Sequence, residues 1–180
     1  MPIEPERVSR EDAFADFVRA RWSAAMRFAY ALTLDHGHAE DLAQDSFAKL
    51  WFRWSRARDG NPEGYLRRIM TSTFLASRRR RWWGEHPSAQ LPDVAAREAH
   101  SRVDDWDALR RAMRELSPRQ RAAVFLRYAE DRSEQEVADL LGCSVGTVKQ
   151  HTSRGLASLR SSGLDVTATL ESVPGGEEHA

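Results

Sequence analysis

The chain of 180 residues has one cysteine, Cys143, so no intrachain disulfide can form and no cysteine-based zinc site is credible. No apolar run reaches the roughly eighteen residues that a membrane-spanning helix needs, so membrane insertion is not expected. The opening MPIEPERVSREDAF holds no apolar segment of the kind a secretory signal carries, and a cytoplasmic location is the expectation. Lysine is almost absent. Of 27 basic residues only Lys49 and Lys149 are lysines, a skew that reads as coding bias of a GC-rich genome rather than as a binding signal. Strand-type alternation is missing. So are a phosphate-binding glycine loop, a serine nucleophile elbow and a paired-carboxylate pattern, and no catalytic role is expected. His36 and His38 stand in a turn, DHGH, with no further ligands clustered near them. His86, His100, His151 and His179 are scattered, and neither a metal nor a cofactor is expected.

What is present is charge, unevenly spread. The formal net charge is zero, with 30% of residues charged and 41% apolar. Between residues 53 and 83 nine arginines face only Asp59 and Glu63, a net of +7. Between 84 and 107 six acids face Arg97 and Arg102, a net of −4. A neutral total therefore hides a basic block followed by an acidic one. The basic block is the first electrostatic hint of nucleic acid.

Helical periodicity is nearly continuous. Phe14, Phe17, Val18, Trp22, Ala25, Ala29 and Leu32 mark a first helix, and TLDHGHAED reads as a turn. Ala39, Leu42, Ala43, Phe47, Leu50, Trp51 and Trp54 mark a second, strongly amphipathic one. RDGNPEG, residues 58–64, breaks the chain, and a third helix is expected over residues 65–83, burying Leu66, Ile69, Met70 and Thr73. The period is lost over the next twenty or so residues, which read as a linker. A second helical set follows, with Trp106, Leu109, Met113 and Leu116 on one face. Ser117 to Gln120 and Ser133 to Glu136 both read as capping boxes, the first with proline at the first helical position. The expected fold is all-α, with two helical domains joined by a flexible linker. The expected divisions are an N-terminal tail at 1–11, a first domain at 12–83, the linker at 84–104, a second domain at 105–160 and an acidic disordered tail at 161–180.

The segment 133–160 has the form of a helix-turn-helix: a short capped helix, a glycine-containing turn, then a second helix capped by Ser144. Ala138 permits close approach of the helices, and Gly142 ends the first of them. Val148, Thr152, Gly155 or Leu156, and Leu159 are expected to face inward. Thr147, Lys149, Gln150, Ser153 and Arg154 then face outward. These are side chains that suit the major groove, where Arg or Lys pairs with guanine, Gln with adenine, and hydroxyls with base or phosphate. A solvated helix face is the alternative for an isolated helix, but the turn pattern and the lack of acids on this face favour DNA. Cys143, in the turn, reads as a small packed residue rather than a redox-sensing thiol.

The two halves together carry a resemblance. HAEDLAQDSFAKLWFRW followed by YLRRIMTSTFLASRRRRWW resembles the second domain of sigma-70-family transcription initiation factors. LSPRQRAAVFLRYAEDRSEQEVADLLGCSVGTVKQHTSRGLASLR resembles their fourth. Order and spacing match, with a short linker in place of a third domain, as in the extracytoplasmic-function (ECF) group and its sigma-E-type branch. The resemblance covers residues 12–160. It implies a non-catalytic subunit that binds core RNA polymerase, at the β′ clamp and the β flap, and directs it to promoter DNA. It also admits an anti-sigma factor as a partner.

By the same resemblance Asp41, Gln44, Asp45, Lys49 and Phe52 would contact polymerase. The loop with Asn61 would take a flipped base of the minus-ten element. Arg68, Thr71, Ser72 and Leu75 would face the melted strand, and Arg78, Arg79, Arg80 and Arg81 would hold phosphate, chemistry that suits single strands. The outward face of the last helix would read the minus-thirty-five element. The chain departs from relatives at Ser72, where many have asparagine, and at His151, Thr152 and Gly155. A stand-alone helix-turn-helix regulator would explain only the C-terminal half.

Overall fold

The computed structural model describes residues 9–84 and 110–163. Nearly all of the expected linker and acidic tail, with Trp106 and Leu109, lies outside the described residues. All described elements are helical.

Most of the helices begin where a side chain can satisfy an orphan amide of the first turn. Ser9 opens α1 (Arg10–Thr33) by accepting from the Asp12 amide at 3.0 Å. Leu34 closes it with a left-handed backbone, φ 58°. Asp35 then opens α2 (His36–Trp51), accepting from the His38 amide at 2.8 Å. The expected nine-residue turn is thus largely helix, because one aspartate restarts the chain after two residues. The single turn α3 (Trp54–Ala57), which local periodicity did not reveal, buries Trp54 and Ala57. Asn61 accepts from the Gly64 amide at 2.8 Å, so α4 (Pro62–Gly84) starts at the proline rather than at Tyr65.

In the second half, α5 (110–115) leads to α6 (Pro118–Tyr128), α7 (Glu134–Leu141) and α8 (Val145–Ser161). Both expected capping boxes are formed, Ser117 with Gln120 and Ser133 with Glu136. Gly142 closes α7 at φ 62°, a conformation that costs a side-chain-bearing residue energy. Ser144 opens α8 by accepting from the Thr147 amide at 3.1 Å.

An aromatic cluster joins α1 to α2 and α3: Phe14 lies 5.0 Å from Trp51, Phe17 5.0 Å from Trp54, and Trp22 stacks on Phe47 at 5.8 Å. Leu66, Ile69, Met70 and Phe74 of α4 complete this core; Thr73, expected among them, is only half-buried. In the second half, α6, α7 and α8 pack together around Val124, Val137, Val148 and Leu159. The two halves also touch. Phe28 of α1 meets Phe125 of α6 at 5.7 Å, and α4 lies against α7.

The choice left open between Gly155 and Leu156 is settled in favour of Gly155, which is buried while Leu156 is only half-buried. A Cβ at Gly155 would lie 2.6 Å from Cγ2 of Val124. Glycine is present because α8 crosses α6 too closely for a methyl group, and β-branched Val124 has little rotamer freedom to yield. Gly155→Ala should therefore destabilise the protein. Overpacking costs about 1–3 kcal/mol, against about 1 kcal/mol of gained helix propensity. Chemical denaturation should show a net loss of about 1 kcal/mol, with part of it restored by Val124→Ala in the same chain. Ser133→Ala, which removes one capping box, should cost about 1 kcal/mol in the same assay.

Candidate nucleic-acid interface

The face of α8 follows from what the helix must bury. Val148, Thr152, Gly155 and Leu159 point into the domain, and the Thr152 hydroxyl returns a hydrogen bond to the Val148 carbonyl at 2.7 Å. Lys149, Gln150, Ser153 and Arg154 are consequently exposed, and Thr147 is half-exposed with its hydroxyl 2.9 Å from that of Ser144. All five side chains expected to face DNA occupy one side of the helix. Lys149 Nζ stands 3.5 Å from Glu134 Oε2 across the turn, an exposed pair of small net worth that an anion can displace. His151 sits half-buried beside this face. Burial, followed by the nearby Arg119 and Arg154 cations, holds its imidazole below the ordinary value and so favours the neutral form.

On α4 the expected stripe divides. Arg68 and Ser72 are exposed and one turn apart, and Leu75 is half-buried against the core. Thr71 does not share their side. It is 2% exposed and its hydroxyl has no hydrogen-bond partner, so the expectation that it faces the strand is corrected. Helical geometry gives the reason: position 71 lies one turn from buried Arg67 and about 100° round the helix from Ser72. Arg78, Arg79, Arg80 and Arg81 continue the same helix. Asn61 is exposed and uses its carbonyl oxygen as the cap of α4, leaving its amide NH2 as the group available to a base.

Asp41, Gln44, Asp45 and Lys49 share the exposed side of α2, and Phe52 follows one turn on with 82% of its surface in solvent. An aromatic ring so exposed beside charged residues has the composition of a docking surface. Lys49 is held between Asp45 Oδ2 at 2.7 Å and Thr73 Oγ1 at 3.0 Å, which ties α2 to α4. Phe52 also borders a shallow groove with Arg53, Ser55, Arg56 and Tyr65, where Arg53 donates to the Tyr65 hydroxyl at 3.2 Å. That groove lies outside the sequence expectations, because it forms where the unanticipated α3 and its flanks meet Tyr65 of α4.

A second feature was also missed. In the doublet Arg67-Arg68, Arg67 is buried, 2% exposed, and reaches into the other half of the chain. Its Nε lies 3.0 Å from Glu130 Oε2 and its Nη2 2.5 Å from Glu130 Oε1. Only the helical angle between consecutive residues could have separated the two arginines, since the partner lies 63 residues away.

Among the described residues there is no helix long and apolar enough to cross a membrane, and no group of three or more His, Cys, Asp or Glu residues placed to hold a metal.

Comparison with known proteins matches residues 17–84 to the family model for sigma-70 region 2 and residues 106–159 to that for sigma-70 region 4. RNA polymerase sigma-E factor of Streptomyces antibioticus is 38% identical over 153 residues, covering 82% of each chain. The protein of the same name from Streptomyces coelicolor is 37% identical, covering 82% of this chain and 84% of its own. Among solved structures, sigma factor RpoE of Bartonella quintana, in complex with the anti-sigma factor NepR, superposes with a TM-score of 0.70 at 28% identity. It covers 85% of this chain and 98% of that one. With two region models in the correct order and sigma-E relatives matched over most of its length, the chain belongs to the sigma-70 family of RNA polymerase sigma factors, in its ECF group.

Proposed function

We propose that this sigma factor binds core RNA polymerase in the cytoplasm and directs it to promoters through two modules, without catalysis of its own. Residues 12–83 form the first module. Asp41, Gln44, Asp45, Lys49 and Phe52 dock on the β′ clamp, while Asn61, Arg68, Ser72, Leu75 and the arginines 78–81 capture the melted minus-ten strand. Residues 105–160 form the second. There Thr147, Lys149, Gln150, Ser153 and Arg154 read the minus-thirty-five element as duplex, and the module lies against the β flap. An anti-sigma factor is a further partner, by analogy with the Bartonella structure.

The observation that carries this reading is the pair of exposed faces on separate helices with different chemistry. The α8 face has hydrogen-bonding side chains suited to base edges and no acid, whereas α4 opposes a core stripe with cations suited to phosphate. Charge and aromatic exposure on α2 fit a protein partner instead.

Reconstitution is the direct test. The purified chain should co-elute with sigma-free bacterial core polymerase and give new, sequence-selective start sites on a library of upstream regions. Duplex binding with no polymerase association would point instead to a stand-alone regulator. Lys149→Ala or Arg154→Ala should reduce promoter-specific initiation by roughly ten-fold or more, since a good base contact is worth about 1–3 kcal/mol, and should leave polymerase binding intact. Asp41→Lys with Asp45→Lys should do the reverse: co-elution should fall sharply, while binding of the isolated chain to minus-thirty-five duplex is retained.

A further inference from the structure

A groove of about 240 Å³ runs beside the reading face of α8, between that helix and the end of α6. Lys149, Leu156 and Arg160 line it from α8, Arg127 and Tyr128 from α6, and Glu134 from the start of α7. The α8 residues fall on one stripe, set by spacings near the helical repeat. The charge of the lining is lopsided, with three cations to one carboxylate. Glu134 lies 3.5 Å from Lys149, an exposed pair that solvent weakens. Arg127 donates to the Arg132 carbonyl, a neutral partner, and stands 6.0 Å from the centre of the Tyr128 ring. Arg160 is exposed and meets no carboxylate among the described residues. Tyr128 and half-buried Leu156 add an apolar wall that nothing described covers.

The chain itself supplies the complement. Residues 164–180 carry Asp165, Glu171, Glu177 and Glu178 and neither arginine nor lysine. Leu164, Val166 and Leu170 stand among these acids and match the Leu156 and Tyr128 wall. The segment also follows directly from the helix that builds the groove. Gly163 leaves α8 with a left-handed backbone, φ 74°, which turns the chain off the helix axis. Asp165 comes two residues later, within reach of Arg160. Lys149 lies roughly 20 Å back along α8 at about 1.5 Å per residue. Glu171 can span up to about 28 Å from Gly163 at about 3.5 Å per residue, so it reaches Lys149. A segment tethered this close has an effective concentration on the order of millimolar, and weak ion pairs suffice to hold it. The other acidic block, residues 84–107, contains Arg97 and Arg102 and joins the chain at α5 rather than at α8.

We propose that this groove is the docking site of the acidic segment 164–180 of the same chain, with Asp165 pairing Arg160 and Glu171 pairing Lys149 and Arg127. Docked there, the segment holds carboxylates where DNA phosphates would otherwise collect, and it takes Lys149 and Ser153, which also lines the groove, out of the reading face. The masking of DNA rests on the promoter-reading role proposed above, whereas the docking does not, and the two are measured separately.

Docking is read by zero-length carbodiimide coupling of the full-length chain, which joins a lysine amine to a carboxylate in contact with it. Only Lys49 and Lys149 are lysines, so the products are few. Peptide mass mapping should find Lys149 joined to an acid of residues 164–180, Glu171 foremost, besides its neighbour Glu134. Lys149 joined to Glu134 alone, or to acids of residues 84–107, overturns the docking. A mixture of 15N-labelled and unlabelled chains shows whether the product lies within one molecule; coupling to the segment of a second copy overturns the proposal as well.

Masking is read by fluorescence anisotropy on a short DNA duplex of mixed sequence. Asp165→Asn with Glu171→Gln, Glu177→Gln and Glu178→Gln should tighten binding about ten-fold, as expected if the groove is open in roughly a tenth of the wild-type chains. In a chain that also carries Arg127→Gln and Arg160→Gln, with folding checked by circular dichroism, the same four replacements should gain much less. Equal gains in both backgrounds would reflect general charge repulsion and overturn the masking; if the Arg127 change unfolds the chain, Arg160→Gln alone serves as the background. If no chain binds duplex, the DNA reading of α8 falls and the masking with it, while the coupling still decides the docking.

Discussion

The architecture depends on α4 being enclosed on almost every side. Leu66, Ile69, Met70 and Phe74 fill the N-terminal bundle, and Arg67 passes beneath the C-terminal half to reach Glu130. Among its described side chains, only Arg68 and Ser72, a narrow strip, are fully exposed. A helix so enclosed cannot roll or slide without breaking apolar packing or exposing an unpaired charge at an interface, and both are expensive. The strip therefore has a fixed direction, set by the core rather than by any contact of its own.

Much of this was legible in the sequence because the signals are local. A serine followed three residues later by Gln or Glu predicted both capping boxes, and Gly142 predicted the left-handed end of α7. The outward face of α8 followed from a period that any amphipathic helix must keep. What escaped was either too short to be periodic or set by partners far along the chain. The one-turn α3 has no room for a repeat. Thr71 was expected outside because hydroxyls suit strand contacts, and its burial with an unpaired hydroxyl is a cost that no local signal foretells. Arg67 looked like one member of a basic run, and nothing near it announces Glu130.

Gly155 illustrates the same limit from the other side. By helix propensity it is a defect, and its chemistry makes sense only once Val124 is known to lie where a methyl group would go. Its effect is geometric. Close approach of α8 to α6 sets how far Lys149 and Arg154 stand from the domain body. A missing carbon in the interior thus fixes the reach of the exterior. His151, half-buried beside the same face, is pushed toward its neutral form by burial and then by Arg119 and Arg154.

The bond from Lys49 to Thr73 joins the exposed side of α2 to the helix that carries Arg68 and Ser72. With Leu50 and Met70 buried beneath it, the two surfaces belong to one inflexible block. Such a block works as a ruler. Whatever grips α2 determines where the strip on α4 lies in space, to within the small play of a packed interior. The place along a DNA strand where bases are captured would then be measured from the polymerase itself, and the unit of length is the thickness of a single hydrophobic core.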